Sequence, residues 1–352
     1  MPEELNPRII KYTEAIREAT DQMMAENPDI FFVGLGATYK NAADNTMSGL
    51  AEKYPSRVLD VPNSEGGWTG MAVGAAISGL RPIVHHGRVE FSLLASDQIF
   101  TQAAKWNSMS GGGNNVPIVF RINVGRQWGN GPQHTQSLYG LFGNVPGLKV
   151  VIPSTPHMAK GLLISALREK NPVVILEPRW NFQVKQYVND AIYSEPLDKA
   201  KISAAGKDIT VVAYGDGFIA AHETLSLIGE KASVELIDLV SLNPIDYETI
   251  FSSVQKTGRL LCVDTTTGAF NIASEIISKV AQKGLNLKEP PITLSCPNVP
   301  CPTSTSLTAI YYPTKVDIAN AILSATHQPP ILKELTFEEL HLAPSLAIPK
   351  SV

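Results

Sequence analysis

Residues 60–70 read DVPNSEGGWTG, and this stretch joins the end of a strand to the start of a helix. Pro62 excludes helix before the junction, because a proline restricts its own backbone and that of the residue before it. Beyond Glu65, the small residues of segment 66–76 predict a helix that packs closely on a neighbour. Glu65 is therefore a lone carboxylate near a helix N-terminus, in the kind of crevice where open α/β sheets bind ligands.

Two roles fit a carboxylate in this position. It can cap the helix by accepting hydrogen bonds from the free N–H groups of the first turn. It can also exchange a proton with a bound ligand, provided that it is partly desolvated. Spacing alone favours the cap, so the surrounding motifs must decide between the two.

Apolar runs alternate with helical patterns along the chain. Strands are predicted at 30–33, 57–60, 81–86, 116–122, 148–152, 173–176, 209–214, 234–238, 260–263 and near 292. Helices are predicted at 9–26, after Glu65, at 92–108, 158–169, up to about 227, and at 273–282 and 316–324. Strands this continuously apolar are typical of parallel sheets covered on both faces. The predicted fold class is α/β with two domains, each a mostly parallel sheet flanked by helices.

The pattern changes twice along the 352 residues. We predict a first domain over 1–185, a linker over 186–206 without sustained periodicity, and a second domain over 207–327. The remaining residues, 328–352, are rich in Pro and Leu, and we expect a tail that packs on the second domain or on a neighbouring chain.

Composition limits the possible functions. Hydrophobic residues make up 44% and charged residues 18% of the chain, as in globular proteins with a substantial core. The net charge of −4 argues against a general nucleic-acid or anionic-membrane binder. No apolar run approaches the roughly 18 residues of a membrane span. Three cysteines are too few, and odd in number, for a disulfide framework, so we expect a reduced, cytoplasmic setting.

Several segments, in order, resemble the β subunit of thiamine-diphosphate-dependent 2-oxoacid dehydrogenases over roughly residues 8–325. They are DVPNSEGGW at 60–68, the glycine- and alanine-rich stretch at 70–82, MSGG at 109–112, VPIVFR at 116–121, QHTQS at 133–137 and VPGLKVV at 145–151. The family counterparts include D-T-P-I-T-E-A-G-F and Q-H-S-Q-S. The resemblance implies a transketolase-like pyrimidine-binding domain followed by a transketolase C-terminal-like domain.

The resemblance also implies roles for individual residues. The family glutamate that Glu65 matches hydrogen-bonds N1′ of the aminopyrimidine and favours the imino tautomer, whose 4′-nitrogen removes the thiazolium C2 proton. His134 matches an active-site histidine that transfers protons or orders the substrate, which suits an imidazole. Phe91 falls where an aromatic ring lies against the aminopyrimidine, and Asn63 and Gly87 fall at two further cofactor-facing positions.

A possible metal motif lies in the second half of the chain. Gly215, Asp216 and Gly217, followed by Asn243, fit the G-D-G-x(24–27)-N diphosphate and Mg²⁺ motif of this cofactor class. In the family, however, the equivalent second domain binds no cofactor. We therefore predict no metal site on this chain. The resemblance implies that the diphosphate and Mg²⁺ are bound by a separate α chain, in an α₂β₂ heterotetramer.

Two other groups could be considered as metal ligands. His85 and His86, with Glu90 nearby, are adjacent on a strand and so point to opposite faces, which disfavours a shared metal. Cys296 and Cys301 lack the second Cys or His pair that a zinc site needs.

Departures from the family cluster around the expected pocket. Leu35 and Gly36 replace an acidic pair, HHGR at 85–88 replaces an apolar and aromatic stretch, and RQW at 126–128 replaces small residues. Our hypothesis is an anionic substrate held by Arg88 or Arg126 in a charge-assisted clamp. The alternative is that one or both arginines face solvent or the partner chain.

The resemblance implies an enzyme that decarboxylates a 2-oxo acid and passes the acyl unit to lipoyl-lysine on a partner acyltransferase. A two-chain transketolase-like or carboligating enzyme, with an aldehyde as acceptor, is the first alternative. A non-catalytic scaffold or regulatory subunit is the second. The substitutions at Leu35 and Gly36 favour the scaffold, whereas Glu65, Phe91 and His134 argue for catalysis.

Overall fold

Strands and helices alternate along the computed structural model, which describes residues 8–126 and 130–349. The strands are β1 (Ile9–Lys11), β2 (Ile30–Gly34), β3 (Val58–Asp60), β4 (Arg81–His86), β5 (Val119–Val124), β6 (Lys149–Val151), β7 (Val173–Pro178), β8 (Lys185–Tyr187), β9 (Lys201–Ala204), β10 (Ile209–Ala213), β11 (Val234–Asp238), β12 (Ser241–Asn243), β13 (Leu260–Thr267), β14 (Ile292–Cys296) and β15 (Ala347–Ile348).

The helices are α1 (Tyr12–Glu26), α2 (Leu50–Lys53), α3 (Glu65–Ile77), α4 (Val89–Ser92), α5 (Ala104–Met109), α6 (Tyr139–Gly143), α7 (Pro156–Arg168), α8 (Gly215–Ile228), α9 (Tyr247–Thr257), α10 (Ile272–Gln282), α11 (Thr305–Thr308), α12 (Lys315–Ala325) and α13 (Phe337–His341). Between α4 and α5 the chain stays helical, through a 3-10 turn at Leu93–Ala95 and a π-helical stretch at Asp97–Ala103. No helix of the described residues is long and apolar enough to cross a membrane.

The first sheet has the order β12-β6-β7-β5-β4-β2-β3 and is parallel except for β12. Its strands are apolar on both sides because helices cover both faces. On one face, Trp68 and Ala72 of α3 pack with Ile99 of the π-helical stretch. On the other face, α1 packs against α7, with Ile16 and Leu163 in the same core.

The second sheet has the order β14-β13-β10-β11-β9, and only its edge strand β9 runs antiparallel. Phe218 of α8 and Ile322 of α12 fill the core on one face of this sheet. Ile250 of α9 and Ile276 of α10 belong to the core shared with the first sheet. Two mostly parallel sheets flanked by helices confirm the α/β class predicted from the sequence.

Strand β12 joins the two halves of the chain. It follows the second-half strand β11, yet it pairs antiparallel with β6 at the edge of the first sheet, with Ser241 opposite Val151. The sequence predicts neither this strand nor helix α9. The sequence does contain the two capping residues of α9. Asp246 accepts a hydrogen bond from the Thr249 N–H at the start of the helix, and Gly258 adopts a left-handed conformation at its end.

The segment between the two series is more regular than expected. The region predicted as a linker contains β9 and most of β8, and β8 forms a small third sheet with β1 and β15. Because β1 takes residues 9–11 into this sheet, the first helix begins at Tyr12. The predicted tail supplies β15, and its Ile348 packs in the core of the second sheet. The domain boundaries themselves stay predictions.

Candidate active site

Helix α3 places Glu65 at the end of strand β3. Pro62 separates the strand from the helix, Ser64 occupies the N-cap position without a side-chain cap, and Glu65 is the first helical residue. Its carboxylate is half-buried and makes no hydrogen bond within the described part of the chain. A side chain at Gly66 would come within 3.1 Å of the Leu94 carbonyl oxygen, so this glycine lets α3 lie close to the neighbouring helical run.

Phe91 and His134 meet at the same edge of the sheet. Phe91 lies on α4, directly after β4, and His134 lies in the loop that follows β5. Their ring centroids are 5.5 Å apart and the rings are nearly perpendicular, at 87°, which is a favourable aromatic geometry. The Gln136 N–H donates a hydrogen bond of 2.8 Å to Glu90 Oε1, so the histidine loop is tied to α4.

The surroundings of these residues fit an aminopyrimidine ring. Glu65 offers a half-buried carboxylate without an internal partner, and Phe91 a half-buried ring. Gly87 has no atom within 4 Å of the position that a Cβ would occupy, so the backbone there is open to a ligand. Asn63 is exposed just before Glu65. Glu65 and Phe91 are the kinds of group that a flat heterocycle needs, an acceptor and an aromatic ring.

The two histidines of β4 point to opposite faces, as the strand geometry requires. His86 stacks on Trp68 with centroids 4.7 Å apart, and burial lowers the pKa of His86 to about 3, so this imidazole is neutral. His85 stacks on Phe32 on the other face, and burial likewise holds the pKa of His85 well below its ordinary value. In the described ranges, no group of three His, Cys, Asp or Glu side chains could hold a metal ion.

Arg88 lies between Gly87 and Phe91 and belongs to a cluster of charges. Its Nη1 donates a hydrogen bond of 2.6 Å to the Gly87 carbonyl oxygen. Burial lowers the pKa of Arg88, whereas the charges of Asp44 and Glu90 raise it. The structure therefore places Arg88 beside Phe91, within the group of predicted site residues.

Arg126 lies in a different environment, against the second half of the chain. Its guanidinium is 3.9 Å from the Trp180 ring and 4.7 Å from the Tyr312 ring, and its Nε is 3.7 Å from Asp216 Oδ2. Burial lowers the pKa of Arg126, and Asp216 acts against this. Gln127 and Trp128, which together with Arg126 replace the small residues of the family, lie outside the described residues.

The geometry around Asp216 bears on the possible G-D-G motif. Thr265 Oγ1 donates a hydrogen bond of 2.6 Å to Asp216 Oδ1, so protein groups contact both oxygens of this buried carboxylate. Asn243 lies on β12 and pairs with Val150 of the first sheet. Its Nδ2 donates a hydrogen bond of 3.4 Å to the Val145 carbonyl oxygen. Because protein groups contact both of its oxygens, the Asp216 carboxylate is not an open ligand for a diphosphate-bound metal.

Comparison with known proteins shows the family. The family described as "Transketolase, pyrimidine binding domain" matches residues 8–185, and "Transketolase, C-terminal domain" matches residues 198–318. The β subunit of acetoin:2,6-dichlorophenolindophenol oxidoreductase of Cupriavidus necator is 38% identical over 322 residues, which cover 87% of this chain and 94% of the relative. The Bacillus subtilis protein of the same name is 36% identical over 337 residues, which cover 92% of this chain and 98% of the relative.

A rice protein extends the comparison. The mitochondrial pyruvate dehydrogenase E1 component subunit β-2 of Oryza sativa subsp. japonica is 37% identical over 90% of this chain and 86% of the relative. The chain belongs to the thiamine-diphosphate-dependent E1 β-subunit family. A solved split-gene transketolase, an inactive β4 tetramer, has a TM-score of 0.74 at 20% identity. The match covers 90% of this E1 β-type chain and 98% of the transketolase chain, and it shows the fold alone.

Three polar residues of this E1 β-type chain were not predicted from the sequence. Asp44 lies in the loop after β2, Asn123 near the end of β5, and Arg179 just after β7. A signal existed for the last two, because polar residues at the carboxyl ends of parallel strands face the usual ligand crevice. Asp44 carried no such signal, since it lies inside a long loop.

Proposed function

We propose that this chain is the β subunit of an enzyme that decarboxylates a 2-oxo acid and transfers the acyl unit, with the diphosphate and Mg²⁺ held by an α chain. The observation that supports this most is the contact of Phe91 with His134 at the sheet edge where α3 presents Glu65. Thiamine diphosphate, when bound, supplies a nucleophilic carbon and accepts the electron pair that decarboxylation releases.

The residues of this chain would divide the remaining tasks. Glu65 would hold a proton at the aminopyrimidine, since its half-buried carboxylate has no internal partner. Phe91 would contact the ring, with Asn63 and Gly87 beside it. His134, held edge-to-face by Phe91, would transfer a proton or order the substrate.

The finer parts of the proposal concern the partners. We infer an α₂β₂ assembly, a lipoyl acyltransferase as acceptor protein, and a cytoplasmic location. The names of the relatives, which are β subunits, support an α partner. The three cysteines are buried and unbridged, which supports a reducing compartment.

For the substrate contact, Arg88 has support from its place beside Phe91. The role of Arg126 in substrate binding stays a prediction, because its ring contacts lie with Trp180 and Tyr312. Replacing each arginine with Met and measuring substrate affinity separates the two. Unchanged affinity in Arg88→Met would remove it from the substrate site.

The catalytic test uses the chain with its co-purified α partner, Mg²⁺ and thiamine diphosphate. We expect Glu65→Gln to lower 2-oxo acid decarboxylation by about 100-fold or more, as loss of general acid–base catalysis does. Glu52→Gln, an exposed glutamate on α2, is the matched control and should retain activity. If Glu65→Gln is as active as the parent, the catalytic proposal is wrong and a scaffold or regulatory role is favoured.

Cleavage of acetoin is a second candidate, because two relatives are named as acetoin oxidoreductase subunits. Supplying the purified complex with pyruvate or with acetoin, and with a lipoyl domain or an aldehyde as acceptor, distinguishes the candidates. Acyl transfer to lipoyl-lysine supports the dehydrogenase. A carbon–carbon coupled product from the aldehyde supports the carboligating alternative.

A further inference from the structure

The carboxylate of Asp44 is bound by donors from two neighbouring strand ends. Arg179 Nη2 donates a hydrogen bond of 2.8 Å to Oδ1, and Asn123 Nδ2 donates one of 2.9 Å to Oδ2. Asn123 is the penultimate residue of β5, and Arg179 directly follows β7, its parallel neighbour. The two donors therefore lie side by side at the carboxyl edge of the sheet, where this fold class binds ligands.

Arg179 has more N–H donors than Asp44 accepts from. The side chain of Arg179 is only 7% exposed, yet its Nε and Nη1 have no hydrogen-bond partner among the described residues. Unpaired N–H groups on a buried guanidinium are unfavourable, so an additional acceptor at Arg179 would be stabilising. Burial raises the pKa of Asp44, and the positive charge of Arg88 nearby acts against this increase.

The segment that carries Asp44 is strained. Ala43, Asp44 and Asn45 have φ values of 47°, 55° and 72°, three successive left-handed residues without a glycine. Asn and Asp tolerate this conformation better than other L-residues, so the backbone is least favourable at Ala43. The side chain of Asp44 is also 34% exposed, so the site opens to solvent. Withdrawal of Asp44 would leave the Arg179 and Asn123 donors without this acceptor.

We propose that Arg179, Asn123 and Arg88 form a carboxylate-binding subsite that Asp44 occupies from within the chain until the carboxylate of a small-molecule acid displaces it. A planar guanidinium with free N–H groups is the group that recognises carboxylates best. Because Arg88 leads directly into α4, which carries Phe91, an acid bound here lies along the same sheet edge as the candidate active site.

The experiment measures binding of malonate to the full-length chain by isothermal titration calorimetry at constant ionic strength, with neutral malonamide as the ligand control. Asp44→Asn removes the competing charge, and asparagine tolerates the left-handed conformation. We expect malonate to bind Asp44→Asn at least about tenfold more tightly than the parent, the change that follows from losing a charge-assisted hydrogen bond of the competitor.

Arg179→Met tests the donor side, and we expect malonate affinity to fall about tenfold or more for the same reason. Arg168→Met is the matched control, since Arg168 lies at the exposed end of α7, where it pairs with Glu26, and its replacement should leave binding unchanged. Equal malonate affinity in Asp44→Asn and the parent overturns the proposal, and so does equal binding of malonamide. If Arg179→Met does not fold, the Asp44→Asn comparison decides alone.

This subsite extends beyond the proposed function. The measurement includes neither thiamine diphosphate nor turnover, so its result does not depend on whether Glu65 is catalytic. If Glu65→Gln loses activity, the catalytic proposal is supported. If Asp44→Asn and Arg179→Met bind malonate with the affinity of the parent, the subsite is contradicted. If Glu65→Gln stays active and the two malonate affinities change as expected, the subsite alone is supported.

Discussion

Glu177→Gln should destabilise the first sheet strongly, because Glu177 neutralises a fully buried arginine. Arg121 Nε lies 2.5 Å from Glu177 Oε1, and Nη2 lies 2.9 Å from Oε2 and 2.8 Å from Thr46 Oγ1. The two side chains are 0% and 1% exposed. The ion pair joins β5 to β7 just below Asn123 and Arg179, so it also supports the proposed carboxylate subsite.

The expected magnitude follows from desolvation. Removing one partner of a buried ion pair leaves the other charge unpaired and costs about 3–5 kcal/mol. Glutamine keeps one acceptor for the guanidinium, so we expect Glu177→Gln near the lower end, at about 3 kcal/mol. Arg121→Met alone leaves the carboxylate unpaired and should cost a similar amount. The double variant Arg121→Met with Glu177→Leu removes both charges and should cost only about 1 kcal/mol, mainly for the lost Thr46 hydrogen bond.

Urea unfolding of the parent, the single variants and the double variant, with the slopes compared, measures these differences. Glu26→Gln is the matched control, because Glu26 and its partner Arg168 are each 45% exposed and should contribute less than about 1 kcal/mol. The reasoning fails if either single variant costs under about 1 kcal/mol, or if the two single costs simply add in the double variant.

Two further predictions concern backbone space and pH. Gly147→Ala should abolish stable folding, because its Cβ would lie 1.9 Å from the Ala104 carbonyl oxygen at a φ of +95°. Gly284 has a φ of +72° and no atom within 4 Å of the Cβ position, so Gly284→Ala should cost only about 1–2 kcal/mol. Thermal unfolding compares the two variants. Burial raises the pKa of Asp238 to about 7, so the unfolded chain ionises first and the free energy of unfolding falls as pH rises from about 4 to about 7. Asp238→Asn should remove this part of the decrease in unfolding measurements at about pH 5 and about pH 8, and an unchanged decrease would contradict the assignment.

The sequence predicts the main strands well because each is a short run built around apolar residues. Residues 81–86 and 234–238 have the bounds that the structure shows. It also predicts Glu65 at the junction of β3 and α3, where proline and glycine positions restrict the backbone strongly. Local steric rules suffice at such points, so no knowledge of the tertiary structure is needed.

Contacts between distant segments were beyond these rules. Nothing in the local pattern indicates that Asp44 reaches Arg179, 135 positions away, through a left-handed loop. The direction of Arg126 depends on Trp180 and Tyr312, which come from separate parts of the chain. Strand β12 is three residues long, and only its pairing with β6 makes it a strand.

That pairing has a practical consequence for dividing the protein. A fragment that ends in the region between β8 and β9 would lack β12 and would leave the edge of β6 without its partner. Unpaired strand edges recruit other chains and promote aggregation. Expression of the pyrimidine-binding half alone should therefore yield insoluble material, whereas a fragment that carries residues 241–243 on a short connection restores the missing edge.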